Sequence, residues 1–205
     1  MSIGTILLIL AGILLLMGIG QRVLDKLGLR DWQALLAIAL TVALGFVPDV
    51  PVTESFSFNV GGALIPLALS VWLFIRAGGK EKLRCIAALT LSAVAIYFMG
   101  RLLPDEPEEM FFDATYLYGA AAGVIAWIFG KSRRGAFIAG SVGTMLAETA
   151  GALLLQARGI SQHLSLGGAG GYDVIILSGL LAVLTCELIG EIAERIKRGA
   201  KEETK

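Results

Sequence analysis

From Ile3 to Gly20 the chain runs for 18 residues without a charged side chain, and comparable apolar runs return at about 33–47, 60–75, 84–100, 114–130, 136–155 and 171–189. Such runs suit a membrane helix, because in lipid every backbone N–H and C=O must find its partner inside the protein. Seven of them in 205 residues, 56% of them hydrophobic and with a mean hydropathy of +0.78, cannot be hidden in a soluble core. The expected architecture is therefore an all-α, polytopic membrane protein of about seven transmembrane helices. Residues 1–190 form one transmembrane domain and 191–205 a cytoplasmic tail. Ile3–Gly20 lacks a basic leader and a small-residue cleavage site, so it reads as a retained first helix rather than a signal peptide. The 15 residues at 33–47 reach only about 22 Å, less than a hydrocarbon core of roughly 30 Å. The turn Pro48-Asp49-Val50-Pro51 is accordingly expected below the membrane surface.

The charges say which way the helices run. Of 17 Lys and Arg, all but Arg101 and Arg158 fall in 21–32, 76–84, 131–134 or the tail, that is, in alternate connections. By the positive-inside rule the N-terminus lies outside the cell membrane and the C-terminus in the cytoplasm. A net charge of zero implies no nucleic-acid partner, and the lipid bilayer is the one partner the composition demands. Cys85 and Cys186 have no metal-ligand spacing and are expected to be free thiols. Neither a metal nor a cofactor is called for. The acidic connection at Pro104-Asp-Glu-Pro-Glu-Glu109 reads as a solvated outer loop.

Polar groups inside the apolar runs mark the candidate site. Leu166-Gly-Gly-Ala-Gly-Gly-Tyr-Asp173 places a carboxylate and the pair Gly170-Gly171 at the head of the last run, and Asn59-Val-Gly61-Gly62-Ala-Leu-Ile-Pro66 heads the third. Glycine lowers helix propensity, so both heads are expected to be broken, which is tolerated at membrane depth only against protein or a cavity. At 1.5 Å per residue from the nearest basic-side marker, Glu148 and Asp173 lie about 21 Å, and Asp49, Asn59 and Arg101 about 25 Å, from that side. Five helices thus bring polar groups to one outer layer, where ionisable residues are expensive and commonly functional. Within it, Glu148 and Asp173 suit proton or cation exchange, Arg101 charge balance, and the Gly61-Gly62 and Gly170-Gly171 heads backbone coordination. The bland alternative is that these groups reach the outer interface or tie helices together.

An offset of 108 aligns Ser57 with Ser165, Gly62 with Gly170 and Ser70 with Ser178, which suggests a parallel repeat of three helices, one linker and three helices. Broken helices in corresponding places of two halves point to a transporter's binding site. The sixth run carries a stripe of small residues, Ala136, Gly140, Gly143, Ala147 and Gly151, which suits close helix packing or a homo-oligomer contact. His163, the only histidine, lies in the outer connection between the sixth and seventh runs and reads as incidental.

Several chemistries are excluded by their missing motifs: there is no phosphate-cradling Gly-x-x-x-x-Gly-Lys-Ser/Thr, no His-Glu-x-x-His and no Cys-x-x-Cys. Three classes remain. The preferred one is transport of a cation, a proton or a small polar solute through an outward-facing site. An intramembrane aspartyl hydrolase would use Asp49 and Asp173 as a proton-sharing pair. A non-catalytic membrane scaffold or assembly protein would use the small-residue stripe as its interface. Pro48-Asp49-Val-Pro51, Asn59-Val-Gly-Gly-Ala-Leu-Ile-Pro66, Ala136-Phe-Ile-Ala-Gly140 and Gly167-Gly-Ala-Gly-Gly-Tyr-Asp173 together resemble the blocks of an uncharacterised prokaryotic membrane-protein family, the domain of unknown function DUF1614. The resemblance implies a polytopic membrane protein and no activity. Where that family's last block reads aromatic-Asp-Gly, this chain has Tyr172-Asp173-Val174.

The alternation of basic residues makes a direct test possible. Cysteines substituted at Thr53 and Glu108 should react with an impermeant thiol reagent added outside intact cells, and one at Gly79 should not. External labelling at Gly79 would invert or break the seven-helix topology.

Overall fold

The structure, a computed structural model, describes residues 25–103, 114–160, 163–168 and 174–202. The apolar run at 3–20 and the acidic run at 104–109 lie outside the described residues. The elements in order are α1 (Asp31–Gly45), β1 (Val50–Thr53), β2 (Phe56–Phe58), a π-helical turn (Val60–Leu64) leading into α2 (Ile65–Arg76), α3 (Gly79–Leu102), α4 (Ala114–Gly130), α5 (Arg133–Ala157), β3 (Leu164–Leu166) and α6 (Val174–Glu202). Each apolar run within the described residues is a helix. Gly79–Leu102, Arg133–Ala157 and Val174–Lys197 are long and apolar enough to cross a membrane, whereas Asp31–Gly45, Val60–Arg76 and Ala114–Gly130 are shorter apolar helices. The last helix continues without a break to Glu202, so the chain beyond residue 190 extends it.

The helices present large apolar side chains outward, among them Ile75, Leu83, Phe98, Ile128, Leu153 and Leu188. The buried core is dominated by small ones: Ala122, Ala126, Ala136, Ala139, Ala182, Cys85 and Cys186 are all at or below 2% exposure. That inversion of the soluble pattern is what a membrane protein requires, because apolar bulk costs nothing against lipid, and helices attract one another there by close backbone contact.

The glycine stripe shows the mechanism. α5 packs against α2, α3, α4 and α6. A Cβ added at Gly140 would stand 2.5 Å from the Ser178 carbonyl oxygen of α6, and one at Gly143 would stand 3.4 Å from Ser92 Cβ of α3. On α4, Gly119 and Gly123 similarly receive α6, with Leu181 Cβ at 2.5 Å and the Ala182 carbonyl oxygen at 2.6 Å from their missing methyl groups. The stripe is therefore occupied within the chain along most of its length. A Cβ at Gly151, the last member of the stripe, would meet nothing within 4 Å.

The basic connections collect at one end of the bundle. Glu187 of α6 accepts from Lys26 Nζ at 2.5 Å and from Arg133 Nε at 2.6 Å. Arg134 Nε donates to the Leu27 carbonyl at 2.8 Å and its Nη1 to that of Arg76 at 3.3 Å, while Ser132 Oγ donates to Glu81 at 2.6 Å. Gly28 has a φ of +73°, and a Cβ there would lie 2.4 Å from the Arg134 guanidinium, so glycine is what admits that arginine to the Leu27 carbonyl. Both cysteines are buried and free.

At the other end stands a small sheet where only loops were expected. β1 and β2 form an antiparallel hairpin with a bulge between Pro51 and Thr53, and β2 pairs in parallel with β3, giving the order β1-β2-β3. The segments Phe56-Ser-Phe58 and Leu164-Ser-Leu166 do alternate with the period of two that a strand needs, but three residues are too few for that signal to stand out.

Gly140→Ala should lower stability by about 1–3 kcal/mol, because its methyl group meets a backbone carbonyl that cannot move aside. Gly151→Ala, in open space, should be neutral or gain up to about 1 kcal/mol through helix propensity. Thermal unfolding of the two variants in detergent checks the contrast.

Candidate functional site

The site begins where α1 stops. Pro48 cannot donate a helical hydrogen bond, so the chain leaves α1 after Gly45 and Phe46 and turns through Asp49 into the hairpin. It re-enters a helix at Asn59, whose extended backbone (φ −89°, ψ 135°) makes it the N-cap of the π-helical turn. The turn is wide because Ile65 N–H bonds back five residues to the Val60 carbonyl, and Pro66, which follows, has no N–H for the ordinary ladder.

Asn59 is 2% exposed, and every part of it is used. Its Oδ1 accepts from Gly62 N–H at 2.9 Å, and its Nδ2 donates to the Val47 carbonyl and to Asp49 Oδ1, each at 3.0 Å. Its backbone N–H donates to the Leu166 carbonyl at 2.8 Å, and its carbonyl accepts from Ala63 N–H at 3.0 Å. The other oxygen of Asp49 accepts from Ser165 Oγ, so one carboxylate is held by hydroxyl and amide donors from two distant parts of the chain.

Three glycines let these backbones meet. A Cβ at Gly61 would lie 2.2 Å from the Gly45 nitrogen, and one at Gly62 would lie 2.3 Å from the Gly167 carbonyl oxygen. A Cβ at Gly168 would stand 2.0 Å from Ser165 Oγ and 2.9 Å from Asp49 Oδ2, so any other residue would part the serine from the carboxylate. Gly61 and Gly62 thus act here by close packing of backbone on backbone.

A second polar link lies beside the first. Ser57 Oγ and His163 Nε2 are 3.0 Å apart, and His163 Nδ1 is 3.1 Å from the Glu54 carbonyl. A carbonyl only accepts, so Nδ1 carries the proton of the neutral ring and Nε2 receives the Ser57 hydroxyl. Ser57 is 4% exposed, which closes its oxygen to an incoming substrate; the pair straps the hairpin to the segment before β3.

Of the residues singled out from the sequence, Asp49, Asn59, Gly61 and Gly62 meet at one place. Glu148 is half-buried on α5, and Arg101 is exposed near the end of α3 with its guanidinium 5.1 Å from the centre of the Tyr97 ring. Gly170, Gly171 and Asp173 lie outside the described residues. Ser165 and Gly168, which complete the carboxylate's surroundings, were not singled out as site residues; the one signal for Ser165 was its alignment with Ser57 at the 108-residue offset. His163 has a structural task that its isolation in the sequence concealed.

A family model described as a protein of unknown function, DUF1614, matches residues 29–185. The chain belongs to that family. The DUF1614 match takes in Asp49, Asn59, Ser165 and every glycine that brings them together. No curated protein and no solved structure matches the chain.

Asn59→Ala would strand the buried Gly62 N–H and remove the donor to the Val47 carbonyl and to one Asp49 oxygen, both partly open to solvent. At about 1–3 kcal/mol for the stranded N–H and less for each part-exposed acceptor, the loss should be about 3 kcal/mol. Ser57→Ala, which removes one hydrogen bond, should cost about 1 kcal/mol. Comparing the two unfolding midpoints against the parent checks whether Asn59 carries the break.

Proposed function

We propose that this DUF1614 protein moves a cation, a proton or a small polar solute across the cell membrane, and that Asp49, Asn59 and Ser165 form the described part of its outer binding site. The observation that carries the reading is a carboxylate held between Asn59 Nδ2 and Ser165 Oγ at the head of a π-broken helix. Broken helix heads facing one another near the outer layer are how transporters expose backbone and side-chain polar groups to a solute. In this reading Gly170, Gly171 and Asp173 also belong to the site, and Glu148 and Asp173 exchange a proton or cation. Arg101 balances charge at the rim.

Two further observations support the reading. The parallel pairing aligns Phe56 with Leu164, Ser57 with Ser165 and Phe58 with Leu166, each 108 positions apart, which is the offset of the 3+1+3 repeat. Ser70, Ser92, Ser141 and Ser178, from four helices, are at most 2% exposed, and the hydroxyls of Ser92 and Ser178 have no hydrogen-bond partner among the described residues. Interior hydroxyls of this kind suit the passage of a polar species between the two ends. The gathering of basic connections at one end fits seven spans with the N-terminus outside and the C-terminus in the cytoplasm. The scaffold reading is less favoured, since α3 and α6 already fill the stripe at Gly143 and Gly140.

Purified protein in liposomes should change internal pH or take up a cation when a gradient is imposed. Asp49→Asn and Asp173→Asn should each lower that flux at least about tenfold while the protein stays folded, because an amide keeps the shape but cannot ionise. Flux that is undiminished in both variants would remove the carboxylates from the transport site. Absence of flux together with cleavage of a membrane substrate, lost in both variants, would instead mark a hydrolase dyad.

A further inference from the structure

The opposite end of the bundle holds a cavity of about 370 Å³ whose charged lining is Lys26, Glu81, Arg84, Lys131 and Arg133. Around it six cations, these four with Arg134 and Lys197, face three carboxylates, Glu81, Glu187 and Glu194, the last sharing an adjoining depression with Lys131 and Arg133, a surplus of three positive charges. Glu81 and Glu187 are already committed. Glu187 bonds Lys26 and Arg133, and Glu81 bonds Ser132 and lies 3.5 Å from Arg134. Among the described residues no carboxylate pairs with Arg84 or Lys131. The cavity also receives the first turn of α5 through Ser132 and Arg133, the positive end of that helix's dipole.

The backbone fixes where Lys131 sits. Lys131 has a φ of +56°, the one non-glycine residue described in that region, and a lysine there is disfavoured relative to glycine or asparagine. The conformation sends its carbonyl to Arg133 Nη1 at 2.5 Å while its ammonium lies 5.2 Å from the centre of the Trp127 ring. The conformation caps α4, since Lys131 N–H bonds back to the Ala126 and Trp127 carbonyls at 3.2 and 3.1 Å, and it sets the lysine at the cavity's edge.

We infer that this cavity binds a phosphate group, and that its occupant is the headgroup of an anionic lipid. Arg84 and Lys131 supply the unpaired charge, Arg133 the forked donor fixed by Glu187, and the α5 N-terminus the backbone dipole. The lipid source is favoured over free phosphate by what flanks the cavity. Leu83, adjoining Arg84, is 69% exposed, and Ile128, one turn before Lys131, is 66% exposed, so acyl chains have an apolar surface to run along. Basic pockets between membrane helices recognise anionic headgroups by this combination. The inference does not depend on transport at the other end.

Thermal unfolding of the full chain in neutral detergent tests it. Added cardiolipin or phosphatidylglycerol should raise Tm by roughly 5 °C, whereas phosphatidylcholine should not. The Arg84→Gln/Lys131→Asn double variant should unfold near the parent's Tm without lipid and lose most of the lipid response. Arg30→Gln/Arg195→Gln removes the same charge from exposed positions outside the cavity and should keep it. If inorganic phosphate alone gives the parent's shift and the cavity variant abolishes it, the phosphate site stands with a soluble occupant. Equal loss in the two double variants, or no response of the parent to any of these probes, would overturn the site.

Discussion

A backbone that leaves a helix frees N–H and C=O groups that must find new partners, and the hairpin end of this protein is built around that constraint. Asn59 answers much of it: its side chain takes the Gly62 N–H of the π-helical turn and the Val47 carbonyl between α1 and the hairpin, and its main chain ties to β3. The same amide that bridges the break also donates to the Asp49 carboxylate. The break and the polar site are thus one construction.

The two ends of the bundle solve different electrostatic problems. At the hairpin end one carboxylate accepts hydrogen bonds from two neutral donors, Asn59 and Ser165. At the other end carboxylates are the minority and serve as clamps: Glu187 binds α6 to Lys26 and to the start of α5. Between the two ends the helices meet through glycine, alanine and serine, so the polar groups at either end are borne by backbones brought close together and not by bulky side chains that repack easily.

How far the sequence could be read follows from the range of each signal. Helices recur as long apolar runs, so α1 to α6 were legible, and the basic residues of 21–32, 76–84 and 131–134 correctly announced that those connections share an end. The glycine stripe of α5 announced close packing, though not that Gly140 serves α6 and Gly143 serves α3, since spacing says nothing about which neighbour fills a face. Asp49 and Asn59 were each legible, as two of five polar groups near apolar runs, though not as hydrogen-bond partners. Ser165 and His163 were not, because a serine or histidine in a connection looks like any solvated residue, and their partners Asp49 and Ser57 stand more than a hundred positions earlier. Three-residue strands leave too short a pattern to notice.

That separation bears on how the protein is made. The Asn59–Asp49 bond spans 10 positions and can form as soon as the hairpin exists, but Ser165 reaches Asp49 across 116, after α3, α4 and α5 have been synthesised and placed. The parallel strand pair is equally late, since β2 must wait for β3 through the same long loop of chain. A nascent chain halted before residue 163 therefore carries half of its polar site without the partner strand. The carboxylate reaches its final surroundings only when nearly the whole protein is in the membrane, which makes completion of the site coincide with completion of the bundle.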